Sequence, residues 1–283
     1  MASSSEEPIS FISKAHVSSY RIVMSTHSDA IRIWSSEGRG SGEGRMNGIA
    51  DPGFVLDAAG RMLRTNAPGA PPAPLFFMKG SAAKNDFLFR VDVPDKLASE
   101  IALLARTEAP LTRASDAPRH LHHYRQLLAR LAGETKVEIE LHYLLPKAHP
   151  HNSSVPLVLS GTTEADALLA RFERQGMPEG LNNLGFGATR ELWPPWCIAF
   201  DGRQPSSIAF ASRLGIRRAA VGVATVPEFR GRGLAAAAVA AWTHHPELVR
   251  YQLDYSHNRE NQSSRRVAER LGLAFEGLSV AIQ

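Results

Sequence analysis

The segment Val221-Gly-Val-Ala-Thr-Val-Pro-Glu-Phe-Arg-Gly-Arg-Gly-Leu-Ala235 holds the residue types in this chain best arranged for chemistry. A run of strand formers enters a turn containing Gly231 and Gly233, and an alanine-rich helix follows. Such a turn presents backbone N–H groups at the positive end of a helix dipole, which suits a pyrophosphate. Glycine lets the backbone approach a ligand where a side chain would stand in the way. Pro227 removes a ladder donor where the strand has to part from its neighbour. Arg230 and Arg232 add positive charge, and the alanines at 235–238 and 240–241 let the helix lie close to a sheet. A second segment, Asn261-Gln-Ser-Ser264-Arg-Arg-Val267-Ala268-Glu-Arg-Leu271-Gly272-Leu273, reads as a helix ended by Gly272.

Taken together, these segments resemble the Gcn5-related N-acetyltransferase (GNAT) superfamily. The family's coenzyme-A motif has the form Arg/Gln-x-x-Gly-x-Gly/Ala, and Arg230, Gly233 and Ala235 match it. Its C-terminal motif, Asn-x-x-Ala/Ser followed by a helix and Leu-Gly-Phe/Leu, is matched by Asn261, Ser264 and Leu271-Gly272-Leu273. The resemblance covers residues from about Val155 to Gln283. It implies an α/β (α+β) fold with a mixed, mostly antiparallel, splayed sheet flanked by helices. It also implies acetyl-CoA as cosubstrate, with no metal. The coenzyme would contact Thr225, Val226, Arg230, Gly231, Arg232, Gly233, Leu234 and Ala235, with Asn261 and Ser264 lining it from the other side. In that family the strands equivalent to Arg217–Val226 and Leu248–Tyr255 splay apart and pantetheine lies between them. Thr225 and Val226 would then pair with its amides, and the same N–H groups would hold the oxyanion as an amine attacks the thioester.

The implied reaction is direct transfer of acetyl to a primary amine of a small molecule, in a ternary complex. Glu228 and His257 are candidates for taking the amine's proton, although Glu228 reads more readily as a solvated loop carboxylate. The chain departs from the family at Ala268, where many members have a tyrosine that returns a proton to the departing thiolate. Ser264 and Tyr255 are the candidates by placement for that step. Two other readings stand beside this one: a non-catalytic module that senses acyl-CoA, and an acyltransferase using a longer acyl group or a hydroxyl acceptor.

The elements that must position these residues follow a regular order. Thr163–Gln175 reads as a helix, and Trp196–Phe200, Ser206–Ser212 and Arg217–Val226 read as strands. Helix Leu234–Thr243, strand Leu248–Tyr255, helix Asn261–Leu271 and strand Phe275–Ile282 complete the C-terminal part. Before it, Phe54–Arg64 reads as a hairpin around Asp57-Ala-Ala-Gly60, and Pro68–Pro74 as a stiff connector. Strand Phe87–Val93, a helix from Pro94-Asp95, a helix Arg119–Leu131 and strand Val137–Leu145 follow. Short apolar pieces such as Ile31–Trp34 are interrupted by Gly38–Gly44, which reads as a loop without the lysine of a nucleotide-binding loop. The Pro-containing stretch Pro146–Pro156 marks a boundary between an α+β extension, residues 1–154, and the transferase domain, residues 155–283. The extension has an acceptor-side or a structural role.

Composition excludes several classes. The 283 residues, 43% hydrophobic and 21% charged, have the balance of a globular chain, and no stretch is apolar enough to cross a bilayer. The polar, acidic start Met1-Ala-Ser-Ser-Ser-Glu-Glu lacks the features of a secretory signal, so a cytoplasmic protein is expected. The net charge of +4 comes with scattered arginines rather than a tract, which argues against nucleic acid as a partner. One cysteine, Cys197, excludes an internal disulfide and reads as a core residue rather than an acyl-cysteine nucleophile. His120, His122 and His123, with His142, His149 and His151, lack the spacing of metal ligands on one helix face. Trp196 and Trp242 read as packing residues. The expected partner is a small-molecule amine, with no membrane, and the oligomeric state is open, a homodimer included.

Overall fold

The computed structural model describes residues 53–67, 69–150 and 154–283. The Ile31–Trp34 and Gly38–Gly44 readings, with Pro68 and His151, lie outside these residues. Strands β1 (Phe54–Leu56) and β2 (Met62–Thr65) form the expected hairpin. Asp57 builds its turn, with Oδ1 accepting from the N–H groups of Ala59 and Arg61 at 2.9 and 2.8 Å. A second hairpin, β3 (Phe76–Gly80) and β4 (Asn85–Phe89), precedes α1 (Asp95–Ala105), α2 (Leu121–Ala132) and β5 (Val137–Leu145). The chain continues through β6 (Leu157–Leu159), α3 (Thr163–Gln175), α4 (Glu179–Asn183), β7 (Trp196–Asp201), β8 (Gln204–Leu214) and β9 (Arg218–Thr225). It ends with α5 (Leu234–Trp242), β10 (Gln252–Asn258), α6 (Gln262–Arg270) and β11 (Ala274–Ile282).

Nine of the described strands form one sheet in the order β4-β3-β11-β5-β10-β9-β8-β7-β6. All neighbours run antiparallel except β9 and β10, which are parallel. The fold is therefore the mixed α/β arrangement expected, a mostly antiparallel sheet flanked by helices. Alternation along each strand assigns the two faces. Leu141 packs with Tyr124, Leu127 and Leu128 of α2, and Leu145, on the same face of β5, packs with Val239 and Trp242 of α5. Cys197 and Ala199 join that second cluster, whereas Ile198 and Phe200 turn to the opposite face and pack against α3 and α4 through Leu168, Phe172 and Leu181.

Helix α5 is buried along most of its length, and its run of alanines brings it close to β7, β8 and β9. Trp242 closes it, fully buried, with its indole N–H donating to the Pro195 carbonyl at 2.7 Å. Trp196 is also a core residue.

Two expectations change. The strand expected at Leu248–Tyr255 begins at Gln252 and runs to Asn258. Pro246–Leu248 forms a single tight turn instead, with His245 Nδ1 facing the Glu247 N–H at 3.3 Å. The strand expected at Phe87–Val93 stops at Phe89, since Val93 N–H turns back onto the Arg90 carbonyl. The sheet also passes through the Pro146–Pro156 boundary, because β5 lies between β10 and β11 and is bonded to both.

Candidate functional site

The site is built where β9 leaves the sheet. Parallel pairing with β10 runs from Arg218/Gln252 to Val221/Tyr255 and stops there, while both strands continue along their other neighbours. A gap therefore opens between Gly222–Thr225 and Ser256–Asn258. Val226 N–H donates to the Ser206 carbonyl at 3.0 Å. Alternation along the antiparallel ladder then turns Ala224 and Gly222 to β8, and Val223 and Thr225 to the gap. Val226 differs from Thr225 in that its N–H is taken by Ser206, and its carbonyl accepts from Phe229 N–H. The Thr225 hydroxyl meets Ser207 at 2.9 Å, and its carbonyl accepts from Arg230 Nε at 3.3 Å.

Beyond the gap, Pro227–Phe229 makes a tight turn and the chain enters α5 through two glycines of positive φ, 80° at Gly231 and 82° at Gly233. Gly233 caps α5 without a side chain, and the N–H groups of Leu234, Ala235 and Ala236 meet no acceptor among the described residues. A Cβ at Gly233 would overlap the guanidinium of Arg270, whose Cζ would stand at 3.0 Å. Arg270, at the end of α6, thus adds a cation over the helix terminus. Arg232 is exposed, pairs with Asp201 and stands over the Phe229 ring at 5.2 Å. Unbonded N–H groups, a glycine cradle and nearby guanidinium groups fit a pyrophosphate.

The second motif starts α6. Asn261 Oδ1 accepts from Ser264 N–H at 3.0 Å, so Asn261 caps α6, and the Ser264 carbonyl accepts from Tyr255 Oη at 3.1 Å. Tyr255 is buried, and burial raises its phenol pKa. Its hydroxyl is thereby committed to backbone. Ala268 packs beneath α6 in the core with Tyr255.

His257 lies within β10 rather than beyond it, on the face that carries α6. It stacks on Tyr143, with centroids 5.5 Å apart and planes 19° apart, and Nδ1 faces the Asn258 carbonyl at 2.8 Å. Its Nε2 is buried without a partner among the described residues, and burial lowers the ring's pKa. Glu228 is exposed on the turn after β9, where its carbonyl accepts from Arg232 at 3.4 Å.

Sequence reasoning did not single out Arg270, nor Glu140 and Ser256, whose side chains meet at 3.4 Å beside the gap. Arg270 falls one residue before the Leu-Gly-Leu part of the C-terminal motif, a proximity that could have drawn notice. Glu140 carries no local signal, since β5 meets β10 only through the sheet.

Other residues weighed for chemistry have structural partners. Cys197 is fully buried, and burial pushes its thiol up to about 12. His120 faces the Thr107 hydroxyl at 3.2 Å, His149 the Leu271 carbonyl at 2.7 Å and His142 the Ser279 hydroxyl at 2.7 Å. Among the described residues no group of three or more His, Cys, Asp or Glu is placed to hold a metal ion, and no helix is long and apolar enough to cross a membrane. Two surface hollows, one lined by Arg125, Lys136 and Gln283 and one by Leu144, Pro146 and Leu253, share no residue with the loop or the gap.

No protein-family model matches the chain, and no curated protein matches it. Solved structures similar to it include one from Novosphingobium aromaticivorans assigned to the GNAT family of acetyltransferases, 21% identical, with a TM-score of 0.35. That likeness covers 52% of this chain and 66% of the other, short of two thirds of its length. A GNAT-family acetyltransferase from Colwellia psychrerythraea is 13% identical, with a TM-score of 0.38 and coverage of 70% and 76%. A GCN5-related N-acetyltransferase-like protein from Streptococcus suis is 13% identical, with a TM-score of 0.40 and coverage of 75% and 84%.

Proposed function

We propose that the chain is an acetyl-CoA-dependent N-acetyltransferase that acts on a primary amine of a small molecule by direct transfer in a ternary complex. One observation carries the reading: the strand that lines the gap, β9, leads directly into the glycine turn at the uncapped start of α5. A coenzyme held by its pyrophosphate on the N–H groups of Leu234–Ala236 has the gap as the groove for its extended arm. Backbone groups of Val223 and Thr225 face that groove and can pair with amides or polarise a thioester carbonyl.

The chain's own residues then have separate tasks. Arg230, Arg232 and Arg270 offset phosphate charge, and Asn261 fixes α6 through its cap. Thiolate is a tolerable leaving group, so with Ala268 in place of a tyrosine and Tyr255 held by the Ser264 carbonyl, the Ser264 hydroxyl or a water returns the proton. The same substitution favours a second reading, an acyl-CoA sensor without turnover. Thiol release from acetyl-CoA, measured with ethylamine, glycine, β-alanine, lysine and putrescine, separates the two. The acyltransferase reading expects amine-dependent release. Tight binding of coenzyme A with release unchanged by every amine would favour the sensor.

A further inference from the structure

We propose that Glu140, on β5, is the acceptor-side base, its carboxylate taking the proton of the incoming ammonium group at the rim of the β9–β10 gap. This rests on the amine-acyltransferase reading and adds to it a catalytic group from the first half of the chain.

Register places Glu140 there. β5 pairs with β10 so that Glu140 stands opposite Asn258 and His142 opposite Ser256, and the four side chains share one face. Leu253 and Tyr255 pack under α5 and α6, so Ser256 and Asn258, which alternate with them, point to the other face. Ser256 is also the first residue of β10 beyond the last β9 pair, Val221/Tyr255. Its hydroxyl reaches Glu140 Oε2 at 3.4 Å, so the carboxylate leans off β5 across β10 toward the gap.

The facing wall is aromatic. Gly222, across the gap, has the Phe210 ring where a Cβ would stand, and Phe186 and Trp193 meet that ring at 5.4 and 5.7 Å. An apolar wall opposite a carboxylate suits a cationic amine carried on an organic body.

Neighbouring charges leave Glu140 as the carboxylate for this task. Arg218 takes up Asp254 and Glu276, and Glu138 is paired with Lys136. His142 is bonded to Ser279, while Lys79 of β3, beyond Ser279 of β11, and His257, on the other face of β10, act on Glu140 through electrostatic attraction without an ion pair. Among the described residues Glu140 has a hydrogen bond from Ser256 and no ion pair.

The ammonium gives one proton to Glu140, and the freed nitrogen lone pair forms the C–N bond at the thioester carbonyl. The oxyanion collapses, the C–S bond breaks, and a second proton from nitrogen reaches the sulfur. Glu140 then releases its proton to solvent, leaving an N-acetyl amine and coenzyme A thiol.

The test is Glu140→Gln, assayed by thiol release with the same amines across a pH series, beside coenzyme A affinity and thermal melting. The expected result is a rate lowered about a hundredfold or more, loss of the acidic limb of the pH–rate profile, and unchanged coenzyme A affinity. An unaltered rate and profile in a folded variant would overturn the assignment while leaving the acyltransferase reading intact. If Glu140→Gln fails to fold, Glu140→Asp decides: a lowered rate with a displaced acidic limb supports the proposal, and an unaltered profile overturns it. Wild-type protein that binds coenzyme A yet releases thiol with none of the amines would remove both readings.

Discussion

Burial holds the imidazoles of His257 and His142 below their ordinary pKa of 6.5, His142 well below it. Both rings are neutral in the folded protein at a pH where an unfolded chain begins to bind protons. Their contribution to stability is therefore complete above about pH 6.5 and is lost as pH falls below it toward the lower folded value. Urea titrations between about pH 7.5 and 5 should show wild-type stability falling, at most by about 1.4 kcal/mol per pH unit for each such ring. His257→Phe keeps an aromatic ring on Tyr143 and removes one of these sites, so its slope should be shallower. A slope equal to that of wild type would contradict the buried, neutral state of His257. The same burial accounts for where the sequence reading of this residue ended: its type was legible, but the strand that tucks it under α6 was placed three residues short of Asn258.

At the scale of elements, β5 has the most consequence. It is bonded to β10 along one edge and to β11 along the other, so it lies inside the sheet of the C-terminal part while preceding the Pro146–Pro156 stretch. Residues 155–283 alone would leave the facing edges of β10 and β11 unpaired and bare the apolar side chains of Leu278, Val280 and Ile282. That fragment should show no cooperative thermal transition, whereas the full chain should show one, as calorimetry can measure. A fragment that melts cooperatively would contradict the role given to β5. Local signals made α1, α2, α3 and the central strands readable, because helical spacing and turn residues act over a few positions. β3 escaped because its Phe76-Phe-Met-Lys-Gly run follows the Pro-rich connector and does not alternate cleanly, and the one-turn α4 is too short to show a period.

For the molecule as a whole, the turn proposed to hold the coenzyme was legible in the sequence and the proposed base was not. The strand, glycine turn and helix around Arg230–Ala235 are contiguous, so residue types alone revealed them. Glu140 and Ser256 lie 116 positions apart, and only the sheet order joins them. The central claim is that the turn into α5 holds the coenzyme, and titration calorimetry of coenzyme A against wild type and Gly233→Leu tests it most directly. At Gly233 a side chain would have to adopt a φ of 82° and displace Arg270 from the helix terminus. Wild type should bind, and Gly233→Leu should weaken binding by about tenfold or more, a loss of about 1.4 kcal/mol or greater. Equal affinity in the two proteins, or no binding by wild type, would contradict the account.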